Sequence, residues 1–246
     1  MTKKTTIILF YCGVALVCAA ILSVVNFVIV PNIKAKGAET EAEAFQNTGQ
    51  QEEKQWFAIE KDLAATNQAG EQVKLSDLRG KVWVVAEFFA VCPHCAERNG
   101  AELRGIYDEF KDHPDFQMVC ISVDPETDDV GRLGEYSKAL GAEPGNWWFL
   151  NAGEEDATHD YLENTLKFFG IRERTDPAEI EANGRFLHDM GLTVVDRDFN
   201  VVGKWPLADA RSEEGRKLDP GLYESLKKEM TGRIRAELGK VVEPGN

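Results

Sequence analysis

The chain has 246 residues, which suits one good-sized domain rather than two large ones. Apolar residues make up 43 % and charged residues 28 %, an ordinary globular composition that excludes a wholly disordered or collagen-like chain. The balance of 28 basic and 42 acidic residues gives a net charge of −14. This excess of acid argues against nucleic-acid binding, because phosphate contact needs a basic surface. Five cysteines and four histidines exclude a disulfide-framework mini-protein and a multi-site His-rich metal store.

An uncharged apolar run begins the chain. Residues Ile7 to Val30 span 24 positions, and a helix of roughly 20 apolar residues crosses a bilayer. The run is longer than the apolar core of a signal peptide and ends in Val-Ile-Val-Pro, which favours an uncleaved anchor. We therefore expect a short tail at 1–6, a transmembrane anchor at 7–30, an acidic linker at 31–55 and a folded domain at 56–246.

The flanking lysines hardly decide the orientation of this anchor, because Lys3 and Lys4 at one end are balanced by Lys34 and Lys36 at the other. A long acidic C-terminal part can be translocated regardless of local charge. We expect a single-pass protein of the cell membrane whose C-terminal domain lies outside the cytoplasm, on the periplasmic side. Disulfides persist chiefly in such compartments.

The folded part alternates strand-like and helix-like segments. The run from Val82 to Phe89 is rich in β-formers and predicts a central strand that is buried on both faces. A helix opened by Pro93 and running through Phe110 is predicted next, followed by a strand at 116–123, a helix at 130–140 closed by Gly141, and a strand at 147–150. The next helix has Leu162, Leu166 and Phe169 on one face and ends at Gly170. A hairpin of 192–196 and 200–204, turned at 198–200, precedes a last helix with Leu222, Leu226, Met230, Ile234 and Leu238 on one face. This order predicts an α/β fold with a central mixed sheet flanked by helices, which matches the thioredoxin superfamily with an insertion.

A cysteine pair carries the clearest chemistry. Cys92-Pro93-His94-Cys95 follows the predicted central strand and opens a predicted helix, whose N-terminus stabilises a thiolate at Cys92. Cys95 returns to the same helix face three residues later. A thiolate is both the attacking group in disulfide exchange and a soft metal ligand. The placement therefore indicates either a redox-active disulfide or metal binding.

The number of ligands narrows the choice of metal. One Cys-x-x-Cys motif supplies two ligands, which disfavours a closed four-ligand zinc site. Two thiolates with one imidazole would suit Cu(I), and the third ligand must then come from elsewhere in the chain.

From about Val73 to Lys204 the sequence resembles the Sco/SenC family. The resemblance rests on Cys92 to Cys95, then Cys120-Ile-Ser-Val-Asp-Pro-Glu126, then Asn146-Trp-Trp-Phe-Leu150, then His188 eight residues before Asp196. Sco proteins are membrane-anchored thioredoxin folds that bind copper, as Cu(I) or Cu(II), and help build the dinuclear copper site of cytochrome c oxidase subunit II. The resemblance implies Cys92, Cys95 and His188 as copper ligands.

The spacing of the cysteines departs from the family, which typically has three residues between them where this chain has two. Cys-Pro-His-Cys is similar to the motif of strongly oxidising periplasmic disulfide enzymes, and the shorter ring favours disulfide closure. The segment 183–196 points the other way, because it lacks the proline that thioredoxin-like oxidoreductases place opposite the cysteines and has His188 instead.

Other residues are considered for a part in the site, and two of them have two interpretations each. His94 either stabilises the Cys92 thiolate or is an exposed spacer, and Glu87 either accepts a proton from Cys95 or is a strand-edge side chain that reaches water. Asp124 is expected only to support the site, Cys120 to pack in the core, and Met190 to pack rather than bind metal. No partners are predicted for His113 and His159, and residues 172–174 are expected to be solvated surface.

Two functions stay open on this basis. The first is a copper-binding assembly factor with a Cys-Cys-His site, whose partner is the membrane-bound oxidase subunit II. The alternative is a membrane-tethered thiol–disulfide oxidoreductase that acts on another thiol protein through Cys92 and Cys95. Peroxide reduction is a remote third, because no Pro-x-x-x-Thr-x-x-Cys arrangement precedes Cys92.

Overall fold

The computed structural model describes residues 56–90 and 99–240. The strands are β1 (Phe57–Ala58), β2 (Ala64–Asn67), β3 (Gln72–Lys74), β4 (Val82–Phe88), β5 (Phe116–Ser122), β6 (Trp147–Asn151), β7 (Arg172–Glu173), β8 (Phe186–Leu187), β9 (Leu192–Val195) and β10 (Asn200–Trp205). The helices are α1 (Ala101–Phe110), α2 (Val130–Leu140), α3 (Glu155–Asp160), α4 (Pro177–Asn183), α5 (Leu207–Arg211), α6 (Glu213–Leu218) and α7 (Leu222–Leu238).

Eight strands form one mixed sheet in the order β1-β10-β9-β4-β5-β6-β2-β3, and β7 and β8 form a separate pair. Strands β4, β5 and β6 are parallel, whereas β9 pairs antiparallel with β4. Every residue of β4 and β5 is buried, which is the pattern of strands with helices on both faces. The predicted α/β architecture with a central mixed sheet is confirmed.

Alternate side chains of β4 enter two different apolar cores. Val84 and Ala86 pack with α1, α2 and α7 on one face, while Trp83 and Val85 belong to the cluster on the other face. The predicted apolar face of the last helix is confirmed at Leu226, Met230, Ile234 and Leu238, which are buried. Gly141 ends α2 as predicted, with the left-handed φ of +66° that glycine adopts readily.

The helix predicted to bury Phe169 and to end at Gly170 is wrong in its last turn. The α-helix is short, continues as a single π-helical turn at Tyr161–Thr165, and stops before Lys167, whose φ is +57°. The reversal turns Phe168 into the core and leaves Phe169 in solvent. Helical periodicity could not show this, because the left-handed residue is a lysine and not the glycine that usually marks a helix end.

An insertion precedes the candidate site. It comprises β7, α4 and β8, of which the sequence pattern predicted no element, and it leads directly into His188. The β2–β3 hairpin and helices α5 and α6 were likewise not predicted from the sequence.

No helix within the described residues has the length and apolar character needed to cross a bilayer. The predicted anchor at 7–30 and the linker at 31–55 lie outside those residues.

Candidate functional site

His188 lies on the loop between β8 and β9, with a side chain that is only 4 % exposed. Its Nδ1 is 2.8 Å from the carbonyl oxygen of Asp189, and its ring packs edge-on against Phe89 with centroids 5.4 Å apart. A carbonyl only accepts hydrogen bonds, so Nδ1 carries the proton and Nε2 the lone pair. Burial lowers the pKa of His188 to about 4, which keeps the imidazole neutral at physiological pH. A neutral, fixed imidazole is the form that binds metals.

Glu87 of β4 ties this loop to the central strand. Its Oε2 accepts a hydrogen bond of 2.8 Å from the backbone N–H of Asp189 and lies 3.7 Å from Nδ1 of His188. The expectation that Glu87 reaches water is wrong, because the residue is 1 % exposed. Burial raises the pKa of Glu87 to about 9, and the negative charge of Asp189 adds to this effect. The strand that leads towards Cys92 thus also fixes the segment that carries His188.

Asp189 connects the loop to its surroundings through its carboxylate. The carboxylate accepts hydrogen bonds from the backbone N–H of Gly191 at 2.7 Å and of Phe169 at 2.9 Å, and it forms an ion pair with Lys204 of β10. With these partners the buried charge is compensated. The loop is therefore held at Asp189, directly after His188, by residues of other elements.

Asp128 is a supporting residue that the sequence analysis missed. It is fully buried, and both of its carboxylate oxygens accept from the backbone N–H of Ala90, at 3.0 and 3.1 Å. The hydroxyl of Ser122 donates to it at 2.6 Å. Because Ala90 is two residues before Cys92, Asp128 fixes the backbone at the entry to the cysteine motif. Its place at the end of the Asp124–Asp128 segment, directly after β5, is the sequence signal that was available.

Asp124 supports the site indirectly. Its buried carboxylate lies 3.7 Å from Nη1 of Arg185. The guanidinium group of Arg185 also pairs with Glu155, through Nη1, and with Glu173, through Nε, at 2.9 Å each. Arg185 directly precedes β8, so its contacts with Asp124 and Glu155 hold the insertion to the rest of the domain just before His188, while Glu173 is part of the insertion itself.

Glu102 of α1 is a second missed residue. It is buried, and one of its oxygens accepts from Arg211 at 3.0 Å and from the Tyr223 hydroxyl at 2.6 Å. The cluster joins the helix that follows the cysteine motif to α5 and α7. A glutamate in an amphipathic helix gave no sequence signal of burial.

Met190 does not pack in the core as expected. It is half-buried and lines a cavity of about 440 Å³ next to α5 and α6. The cavity lining also includes the carboxylates of Asp209, Glu213 and Glu214. The His188 loop therefore borders, through Met190, a cavity lined by three acidic residues and by Arg211.

The other candidates have structural roles. Cys120 is a free thiol in the core, as predicted, and burial raises its pKa to about 12. His159 does have a partner, since its Nε2 is 2.7 Å from the carbonyl oxygen of Val123, and His113 accepts from the backbone N–H of Asp115 at 3.2 Å. The solvated-surface prediction for residues 172–174 holds for the first two but not for Arg174, which is half-buried and donates to the carbonyl of Gly184 at 3.0 Å.

Cys92, His94 and Cys95 lie outside the described residues. Among residues 56–90 and 99–240, no group of three or more histidine, cysteine, aspartate or glutamate side chains is arranged to hold a metal ion. The copper-ligand set of Cys92, Cys95 and His188 therefore remains a prediction. Of these three residues the structure describes only His188, whose neutral imidazole suits a soft metal ion.

Comparisons with known proteins agree with this architecture. A family model described as SCO1/SenC matches residues 51–219, well over half of the chain. The chain belongs to the SCO1/SenC family. A curated relative, the SCO1 protein homolog of Bacillus subtilis (strain 168), is 24 % identical over 148 residues, which cover 60 % of this chain and 76 % of the relative.

Solved structures of the family have the same fold. Copper-bound ScoI of Bradyrhizobium japonicum has a TM-score of 0.53 at 18 % identity, covering 73 % of this chain and 99 % of that one. BsSco, described as a member of the Sco family of cytochrome c oxidase assembly proteins with a disulfide switch, has a TM-score of 0.56 at 18 % identity, covering 77 % and 98 %. The sheet is thus the thioredoxin-like sheet of Sco proteins.

Proposed function

We propose that this SCO1/SenC protein is membrane-anchored, binds copper through Cys92, Cys95 and His188, and assists assembly of the dinuclear copper site of cytochrome c oxidase. The observation that carries the proposal is the state of His188. Its imidazole is buried, neutral and oriented by the Asp189 carbonyl, on a loop that Glu87 ties to the strand preceding the cysteine motif.

The donor set suits copper as a cargo. Two thiolates and an imidazole are soft to borderline ligands, which Cu(I) accepts in three-coordinate sites. The Asp189 carbonyl on Nδ1 fixes the tautomer in which Nε2 is the ligand atom. The copper-bound relative supports the same cargo for this chain.

A thiol–disulfide oxidoreductase is the second candidate, and the cysteine spacing favours it. Two intervening residues place the sulfurs in the short ring of Cys-x-x-Cys enzymes. The two functions are compatible, because the thiols of an apo copper site must be reduced before they bind metal.

One experiment separates the two candidates. The reduced, Cu(I)-loaded chain is mixed anaerobically with the dithiol form of the apo copper domain of oxidase subunit II to follow copper transfer. In a separate reaction the reduced, copper-free chain is mixed with the disulfide form of that domain to follow disulfide reduction. We expect wild type to deliver copper, and His188→Ala, which keeps both thiols, to lose delivery while retaining disulfide exchange. Equal delivery by wild type and His188→Ala would contradict the copper proposal and leave the redox candidate.

The proposal also requires the folded domain to lie outside the cytoplasm, anchored by residues 7–30. Fusions of alkaline phosphatase and of green fluorescent protein to the C-terminus report opposite orientations. We expect phosphatase activity without fluorescence, and the reverse result would contradict this topology.

A further inference from the structure

Two exposed apolar side chains flank the His188 loop. Phe169 is 76 % exposed and Leu187, the residue directly before His188, is 51 % exposed. The backbone N–H of Phe169 donates to the Asp189 side chain at 2.9 Å, which places Phe169 at the same loop. Large apolar side chains clustered next to a binding residue are typical of protein interfaces.

The backbone holds Phe169 outward. Lys167, two residues earlier, has a φ of +57°, a left-handed conformation that is uncommon for a side chain other than glycine, asparagine or aspartate. The turn is closed by a hydrogen bond of 3.0 Å from the N–H of Phe168 to the carbonyl of Leu162, and Phe168 enters the core in place of Phe169. The exposure of Phe169 is therefore fixed by the fold.

The ring of Phe169 also has one contact with a neighbouring charged side chain. The ammonium group of Lys204 lies 4.5 Å from its centroid, and that lysine is in turn held by its ion pair with Asp189. A contact of this kind restrains an aromatic side chain and reduces the conformational entropy that it loses on association. Such residues are the common anchors of protein interfaces.

Two exposed positive side chains lie close to Phe169 in the chain, and the neighbouring carboxylates of Asp189 and Glu163 are already engaged, by Lys204 and by the backbone N–H of Ile171 at 2.6 Å. Lys167 and Arg172 are exposed, and Arg172 of β7 lies directly opposite Leu187 of β8. The adjacent carboxylate of Glu173 is paired with Arg185 at 2.9 Å. A basic fringe stands out on a chain with a net charge of −14.

We propose that Lys167, Phe169, Arg172 and Leu187, here called the Phe169 surface, dock a protein partner that offers an apolar recess bordered by carboxylates. The inference deepens the proposed function, on which it rests, because the surface adjoins the proposed copper ligand His188. A partner that docks on this surface would have its own soft metal ligands close to the copper bound at the proposed site.

The test uses the full chain in detergent, with and without one equivalent of Cu(I). The probe is the apo copper domain of oxidase subunit II from the same organism, titrated by calorimetry at low and high salt. We expect Phe169→Ser to weaken the complex about tenfold or more. The matched control is Leu218→Ser, because Leu218 of α6 is even more exposed, at 82 %, and is expected to leave the affinity unchanged.

A second variant tests the contribution of the two basic side chains, Lys167 and Arg172. Lys167→Glu with Arg172→Glu should weaken the complex at low salt and abolish or invert its salt dependence, since both positive charges would become negative charges that repel the partner's carboxylates. All variants should bind Cu(I) as wild type does, because none of the changed side chains is a proposed ligand.

Equal partner affinity of Phe169→Ser and wild type would overturn the docking surface, as would the absence of a complex with wild type. Neither result changes the copper affinity of the chain alone. Loss of Cu(I) binding by wild type would instead contradict the proposed function, while the copper-free titration would still decide the docking surface.

Discussion

The side-chain carboxyl group of Glu87 accepts a hydrogen bond of 2.8 Å from the backbone N–H of Asp189, a residue 102 positions later in the chain. The contact joins β4 of the central sheet to the loop that carries His188. It makes Glu87 a positioning residue for the proposed copper ligand. Groups that orient a metal ligand commonly change metal affinity by 10- to 100-fold when they are removed.

We expect Glu87→Leu to weaken Cu(I) binding about tenfold or more, because the Asp189 N–H loses its acceptor and the loop loses its anchor. Glu87→Gln keeps a carbonyl acceptor of the same shape and should restore most of the affinity. The measurement is anaerobic competition with a Cu(I) chelator. In a His188→Ala background the two Glu87 variants should bind Cu(I) alike, and a tenfold difference there would show that Glu87 does not act through His188.

Asp128 offers a test of how the entry to the cysteine motif is held. Asp128→Ala should lower the free energy of unfolding by about 2 kcal/mol or more, because the buried hydroxyl of Ser122 and the N–H of Ala90 lose their acceptor. Asp128→Asn retains one acceptor oxygen and should lose less. The control is Asp129→Ala, which removes only the N-cap of α2 and costs about 1 kcal/mol. Urea unfolding of the full chain in detergent provides the comparison, and equal losses at the two positions would contradict the anchoring role.

Gly184 has a φ of +79°, and a Cβ at this position would overlap the ring of Phe89, the ring that packs on His188. We expect Gly184→Ala to reduce both stability and Cu(I) affinity. Gly153→Ala is the matched control, because Gly153 also has a positive φ, of +92°, but open space around it. The unfolding free energy of Gly184→Ala should be lower than that of the control by about 2 kcal/mol or more. A similar loss in both variants, with Cu(I) affinity retained, would mean that only backbone strain matters.

The sequence predicted the parts of this fold that depend on local pattern. The buried run of β4, the capped helix α2 and the apolar face of α7 follow from residue periodicity and from Gly141. The insertion, the left-handed Lys167 and the burial of Glu87 were not predictable in this way. Each depends on a contact between residues far apart in sequence or on a backbone conformation that its residue type does not indicate.

The residues of the candidate site likewise include some that the sequence indicated and some that it did not. His188 was singled out by the family resemblance, and the structure adds why its ring is neutral and oriented. Asp128 and Glu102 were missed because a buried carboxylate is stabilised by donors on other elements, such as Ala90 and Arg211, that no local window contains.

The thiols of Cys92, Cys95 and Cys120 should differ in their reactivity towards alkylating reagents. Burial raises the pKa of Cys120 to about 12, so at pH 8 its thiolate fraction is about one part in ten thousand. We expect iodoacetamide at pH 8 to label Cys92 first and Cys95 next in the reduced chain, and Cys120 only after guanidinium is added. Peptide mass spectrometry identifies each site. Labelling of native Cys120 would contradict its assignment to the core.

The central claim is that His188 completes a copper site with Cys92 and Cys95. The most direct measurement is an anaerobic Cu(I) titration of the full chain in detergent against a competing chelator, for wild type, His188→Ala, and the double variant Cys92→Ser with Cys95→Ser. The account predicts one Cu(I) for wild type, an affinity about tenfold or more lower for His188→Ala with its unfolding transition preserved, and no competitive binding at this site in the double variant. Equal Cu(I) affinity of wild type and His188→Ala would contradict it.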